Sequence, residues 1–214
     1  MDRSSKMQYA LVPLEQDSIR TIHTELYFMP AYSGKAQPYL DAIAESVFTS
    51  QDVRDWLIMG TPAERKYTGS IALIDEQRAV RWRTKPTKQP FWANYWCGRD
   101  RNCTCRIVGS KGLESDAIFF LRNSSNRILA VHVEFKHPNE TFQFGQPEAY
   151  PLRAACFVET HHERSTLNAH DDWATVIFCG AKALSDSRLE NFQRIITHSE
   201  AAGTINNYPS SPSH

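Results

Sequence analysis

The chain has 214 residues, 41% of them hydrophobic and 22% charged, and its formal net charge is zero. That length suits one well-cored domain and is short for two. No apolar run approaches a membrane span, and the polar start Met1-Asp2-Arg3-Ser4-Ser5-Lys6 lacks the pattern of a secretory signal, so a cytoplasmic protein without membrane contact is expected.

Ser18 to Leu26 is expected as a short helix before Pro30. From Tyr39, the apolar residues Leu40, Ile43, Ala44, Val47 and Phe48 recur three and four apart and predict a helix. Ser50 opens a second helix whose face continues through Val53, Trp56 and Leu57 to the stop signal Gly60-Thr61-Pro62. Ile71–Ile74 and Ala79–Arg83 read as a short hairpin around Asp75-Glu76-Gln77, and residues 84–100, with two prolines, as a loop. Cys105–Gly109 is expected as a strand before the turn at residues 110–112. Two apolar strands follow, Ala117–Leu121 and Val131–Phe135, joined by the turn-forming cluster Asn123-Ser124-Ser125-Asn126-Arg127. Residues 142–150 look irregular, 152–160 helical, and Trp173–Cys179 is a strand buried on both faces. A helix over 185–197 would be capped by Ser185, with Leu189, Phe192, Ile195 and Ile196 as its inner stripe. Residues 206–214, rich in Pro, Ser and Asn, are expected to be disordered. The order predicts one α/β domain over 1–205.

If Arg122 and Ile128 flank the turn of the apolar hairpin as partners, Asp116 lies opposite Glu134. Like charges facing each other on a sheet repel, so packing alone does not favour the pair, whereas a divalent cation between them would. Lys136, two residues beyond Glu134, shares its face, and Phe135 points the other way into the core. Acid, acid and amine around one point suit metal-assisted hydrolysis. Residues 78–111 carry nine Lys/Arg against Asp100 alone. Arg81, Arg83, Lys85, Lys88, Arg99, Arg101, Arg106 and Lys111 are candidate contacts to a polyanion, and Trp82, Phe91, Trp92, Tyr95 and Trp96 interleave them. The competing reading is an exposed basic loop whose aromatics cover the core. No Gly-rich phosphate loop or nucleophile elbow is present, which leaves NTPase and esterase readings without support.

Asp116, the following strand and Glu134-Phe135-Lys136 resemble the motif of the PD-(D/E)xK nuclease superfamily. Gln146-Pro147-Glu148-Ala149-Tyr150 is similar to the Gln-x-x-x-Tyr motif of its RecB-like branch, and Glu45 stands where many members carry an extra acid. The resemblance implies a restriction-endonuclease-like α/β core, a central mixed sheet flanked by helices in the order α-β-β-β-α-β, over about 39–180. It implies a Mg2+ or Mn2+ nuclease acting on nucleic acid, with DNA expected before RNA. Asp116, Glu134 and the main-chain carbonyl of Phe135 would hold the metal, with Glu45 available to a second ion. Lys136 would orient the attacking water, and Gln146 and Tyr150 would support the metal shell or touch the backbone phosphate. Pro147 and Pro151 depart from the family pattern by bracketing a motif that normally lies on a continuous helix. Cutting both strands of a duplex would suit a homodimer, and targeting would come from the basic segment or from a partner protein.

Two other classes compete. One is a nuclease-like fold kept as a nucleic-acid or protein binding module without hydrolysis. The other is a zinc-stabilised interaction domain around Cys97, Cys103 and Cys105. The spacing Cys-x5-Cys-x-Cys is not that of a common zinc knuckle. His132, His137 or a distant cysteine could complete the set, and the sequence selects none of them. His161-His162 is equally unspecific. The five cysteines are odd in number and, outside this cluster, scattered, which argues against a disulfide framework.

Overall fold

Pro38 near the start of an apolar stripe opens the first helix, where a missing N–H costs nothing. The computed structural model describes residues 35–83, 89–97, 103–110, 114–159 and 167–210. Helix α1 (Gln37–Thr49) ends at Ser50, whose hydroxyl accepts a hydrogen bond from the Val53 amide at 3.3 Å and so caps α2 (Gln51–Ile58). Arg54 of α2 reaches back to the Val47 carbonyl at 2.8 Å and satisfies a C-terminal acceptor of α1. One turn, α3 (Glu64–Tyr67), leads to the two-residue strand β1 (Ile71–Ala72).

The next segment departs from the expected hairpin. Ile74–Arg81 is a helix, α4, with Asp75 and Glu76 in its first turn and Arg78 and Arg81 in its last, matching the helix dipole. Its buried Gln77 donates to the Ile118 carbonyl at 2.7 Å and to the Tyr95 hydroxyl at 3.1 Å, a contact that hydrophobic patterning does not register. Within the expected loop, Ala93–Trp96 forms strand β2. Cys105–Gly109 is not a strand, and a turn occupies Val108-Gly109.

Strands β3 (Glu114–Arg122) and β4 (Ile128–Phe135) form the expected hairpin, with Arg122 opposite Ile128 and Ala117 opposite Val133. Helix α5 (Gln146–Glu159) crosses over to β5 (Asp172–Cys179), which runs parallel to β4. A long crossover of this kind is what a parallel pair requires. The expectation of irregular chain to Tyr150 fails. The helix starts at Gln146, places Pro147 in its first turn and continues through Pro151. The expected helix over 185–197 fails as well. Two 3-10 turns, Ala181–Ser185 and Ser187–Asn191, precede a strand β6 (Arg194–Thr197) parallel to β5 and a final helix α6 (His198–Thr204). Asp186, not Ser185, caps the second turn, its carboxylate accepting from the Arg188 amide at 3.0 Å. Ile195 and Ile196, placed on one helical stripe by the sequence pattern, instead face opposite sides of the sheet.

The mixed sheet has the order β1-β3-β4-β5-β6, with β2 paired to the same β3 edge as β1. Helices α1 and α2 cover one face over Phe119, Leu121, Val131, Val133, Val176 and Phe178. Helix α5 covers the other. The architecture is therefore mixed α/β, a mixed sheet flanked by helices. All described residues fall within the compact unit Ala31–His214. Of the expected tail, Tyr208 is buried and its hydroxyl lies 2.8 Å from Nδ1 of His198. The Ser18–Leu26 helix and residues 211–214 lie outside the described residues. No helix among the described residues is long and apolar enough to cross a membrane.

Asp172 locks the start of β5 to α3 and to the hairpin turn. It accepts from Lys66 at 2.7 Å, from Arg127 at 3.2 Å and from the Tyr67 hydroxyl. Burial pushes its carboxyl up, but the Lys66, Tyr67 and Arg127 hydrogen bonds together outweigh it and hold the group below its ordinary 3.8. A depressed folded value means that the stabilisation is complete above the unfolded value and fades as pH falls through the folded one. Asp172→Asn is expected to cost about 1–2 kcal/mol at pH 7. Urea unfolding should show that cost shrinking below pH 3.8.

Candidate active site

The end of the β3–β4 ladder builds the site. One residue beyond the Ala117–Val133 pair, where the register sets Asp116 against Glu134, the Asp116 carboxylate accepts from the Phe135 amide at 2.8 Å. Phe135 itself faces the helical layer, its ring 4.9 Å from that of Tyr39. Glu134 and Lys136 point to the opposite side, toward the start of α5, and are 2% and 4% exposed. The strand alternation that separates Phe135 from its neighbours is therefore as expected.

Glu134 is the convergence point. Its Oε1 accepts from Gln146 Nε2 at 2.6 Å and lies 3.2 Å from Lys136 Nζ. Its Oε2 accepts from the Tyr150 hydroxyl. Gln146 and Tyr150 can act together because α5 sets them one helical turn apart on one face. Pro147 sits where the helix has no partner for an N–H, and Pro151 removes a single later bond. A carboxylate offers about four acceptor sites, so three donors leave capacity for one further partner.

Burial, and then the charge of Glu134, push the Asp116 carboxyl well above its ordinary value; Glu114 adds to the rise, while the Phe135 amide and Lys136 oppose it. Burial also raises Glu134, against the opposing pull of Lys136 and Tyr150. For Lys136, burial favours the neutral amine, but the Glu134 and Glu140 carboxylates reverse the balance and raise it above 10.5. Lys136 is thus an ammonium at neutral pH, a donor and a positive charge rather than a base. Burial, then Glu134 and Asp116, keep the Tyr150 hydroxyl protonated. Beneath Lys136, His198 Nε2 lies 2.8 Å from its carbonyl. A carbonyl only accepts, so Nε2 carries the proton and Nδ1 is left to accept from Tyr208.

A cavity of about 260 Å3 opens on Asp116, Glu134 and Lys136, and Asn94, Glu114 and Glu140 also line it. The last three were not anticipated. Glu114 was legible from alternation, two residues before Asp116. Glu140 folds back through a turn to sit 3.1 Å from Lys136 Nζ. Asn94 comes from the segment expected to be a loop. Arg153, also unanticipated, donates to the Glu114 carbonyl and lies over the Tyr150 ring at 4.7 Å. Asp116 and Glu134 bring buried carboxylates to a cavity that Asn94 and Phe135 also line, and hard oxygen donors of this kind are those Mg2+ or Mn2+ would take.

Other anticipated residues are not brought here. Glu45 is exposed on α1 and does not line the cavity. Among the described residues no three carboxylates each bring an oxygen within 4.8 Å of the others. Arg81 binds the Ala93 and Asn94 carbonyls at 3.0 and 2.9 Å and stacks on Tyr95, so it braces β2. Arg83 and Arg106 are exposed. Lys85, Lys88, Arg99, Arg101, Lys111, His161 and His162 lie outside the described residues. Phe91, Trp92 and Tyr95 are core residues rather than a stacking surface, and Trp96 is exposed. His132 is buried against Phe157, its Nδ1 3.2 Å from the Ser115 hydroxyl.

Removing Lys136 would leave Glu134 buried without its cation. Lys136→Met is expected to cost about 3–5 kcal/mol. The pair Glu134→Gln/Lys136→Met should cost less than the sum of the single changes by about 1–3 kcal/mol, as measured by a urea-unfolding cycle. Comparison of the chain with family models, with curated proteins and with solved structures yields no match.

Proposed function

We propose that the protein is a metal-dependent nuclease that hydrolyses phosphodiester bonds, with DNA the expected substrate, on a restriction-endonuclease-like core of the PD-(D/E)xK type. The observation that carries this reading is the convergence of Asp116, Glu134 and Lys136 on one cavity, with Gln146 and Tyr150 each donating to a different oxygen of Glu134. A structural ion pair would explain Glu134 and Lys136 alone. It does not explain a second carboxylate held beside them in a shared pocket at a cost in repulsion.

Asp116, Glu134 and the Phe135 carbonyl would hold Mg2+ or Mn2+. Bound there, such an ion polarises a phosphate and lowers the pKa of a water. The chain's own groups do the rest. Gln146 and Tyr150 fix the rotamer of Glu134, which lines the cavity. The Lys136 ammonium orients a water by hydrogen bonding and stabilises negative charge gathering on the phosphate oxygens. Glu140 holds that ammonium in place from the open side. Glu45 has no part in this scheme. Apart from Arg81, which braces β2, the basic residues of 78–111 would supply sequence-independent attraction to the backbone. A homodimer or a targeting partner would complete recognition in the cytoplasm.

The test is cleavage of single- and double-stranded DNA and RNA by the purified protein with Mg2+, Mn2+ or EDTA. Cleavage should require metal. Asp116→Asn should abolish it while leaving the fold at least as stable, because the change removes a repulsive buried charge. Glu140→Gln should slow cleavage about tenfold by loosening Lys136. Cleavage that survives Asp116→Asn would refute the assignment. Nucleic-acid binding without any cleavage would transfer the fold to the binding-module class.

A further inference from the structure

On the α5 face of the sheet, away from the acidic cavity, Cys97, Cys103, Cys105 and Cys156 bring their four sulfurs within 4.8 Å of one another. Cys97 Sγ lies 3.7 Å from Cys103 Sγ, 3.7 Å from Cys156 Sγ and 3.3 Å from Cys105 Sγ. These separations far exceed the roughly 2.05 Å of a disulfide. They approach the edge of a tetrahedron with zinc at its centre: Zn–S bonds near 2.3 Å set neighbouring sulfurs about 3.8 Å apart. Three of the four cysteines are buried, packed with Ile118, Phe120, Ala130 and Phe157.

We propose that Cys97, Cys103, Cys105 and Cys156 form a structural zinc site. The donor set is closed, with four thiolates and no place for a water, which marks a structural rather than catalytic ion. A polynuclear iron–sulfur cluster interposes its own sulfides and spreads its cysteines more widely than a single ion does. Zinc takes the place of four thiol protons, which pass to solvent, and the resulting centre carries a net charge of −2.

The ligands come from three places: the residue after β2, the irregular segment 103–110 and the middle of α5. The first two have little regular secondary structure, and an ion would tie them to α5. Cys156 is six residues beyond Tyr150, about 9 Å along the helix axis. The site therefore pins the helix that presents Gln146 and Tyr150 to Glu134, and positions them without touching the reaction. The sequence allowed a distant cysteine as the fourth ligand but could not select Cys156, which nothing marks apart from the other apolar residues of its helix.

The test is metal analysis of the purified full-length chain, with cobalt substitution as a second readout. One zinc per chain is expected. It should persist in Asp116→Asn and Cys179→Ser and be lost in Cys97→Ser and Cys156→Ser. Cobalt in place of zinc should give the thiolate charge-transfer band and intense visible bands of a tetrahedral CysS4 centre. These readouts do not depend on cleavage, so they stand or fall apart from the nuclease reading. Absence of zinc together with absence of the cobalt spectrum would overturn the site. Iron in place of zinc, or zinc retained in Cys156→Ser, would overturn the assignment equally.

Discussion

The Glu134 carboxylate is the interaction on which the rest of the site depends. It is almost fully buried, and a buried carboxylate without partners is too costly to keep ionised. Three donors answer that cost: Lys136, just past the end of β4, and Gln146 and Tyr150 of α5. The network thereby fixes the start of α5 relative to the end of β4. Asp116 makes the same corner asymmetric, because it adds negative charge where the Phe135 amide and the Lys136 ammonium only partly offset it. A corner so arranged is satisfied structurally at Glu134 and left hungry for positive charge at Asp116.

The overall charge pattern extends that division. The cavity gathers Glu114, Asp116, Glu134 and Glu140 around one ammonium, so on its own it would repel a phosphate. A divalent cation would reverse this by turning repulsive carboxylates into ligands. The proposed zinc lies elsewhere on the same face of the sheet and uses soft sulfur donors, so the two sites select different ions. The two are linked through α5, which donates to Glu134 near its start and would bind zinc near its middle.

Much of this was legible in the sequence, for identifiable reasons. The hairpin register followed from one turn and two apolar strands, and it led directly to Asp116, Glu134 and Lys136. Ser50 announced its cap, and the run of 173–179 announced a strand covered on both faces. The misses share a cause, since each was decided by tertiary partners. The helix Ile74–Arg81 anchors its Gln77 on two distant acceptors. Ile195 and Ile196 pair with β5 instead of forming one stripe, because β5 offers an edge that local sequence does not reveal. Phe91 and Tyr95 look like a stacking surface until α4 and β3 bury them. Glu45 had the right chemistry on the right helix and the wrong side of it.

The most direct measurement is thermal unfolding of the wild type and Asp116→Asn across a Mn2+ titration in a chelator-treated buffer. Without Mn2+, the variant should be at least as stable as the wild type. With Mn2+ at about a hundred times its dissociation constant, the wild type alone should gain about 2.7 kcal/mol. Equal stabilisation of both proteins, or of neither, would contradict a metal site built on Asp116 and Glu134.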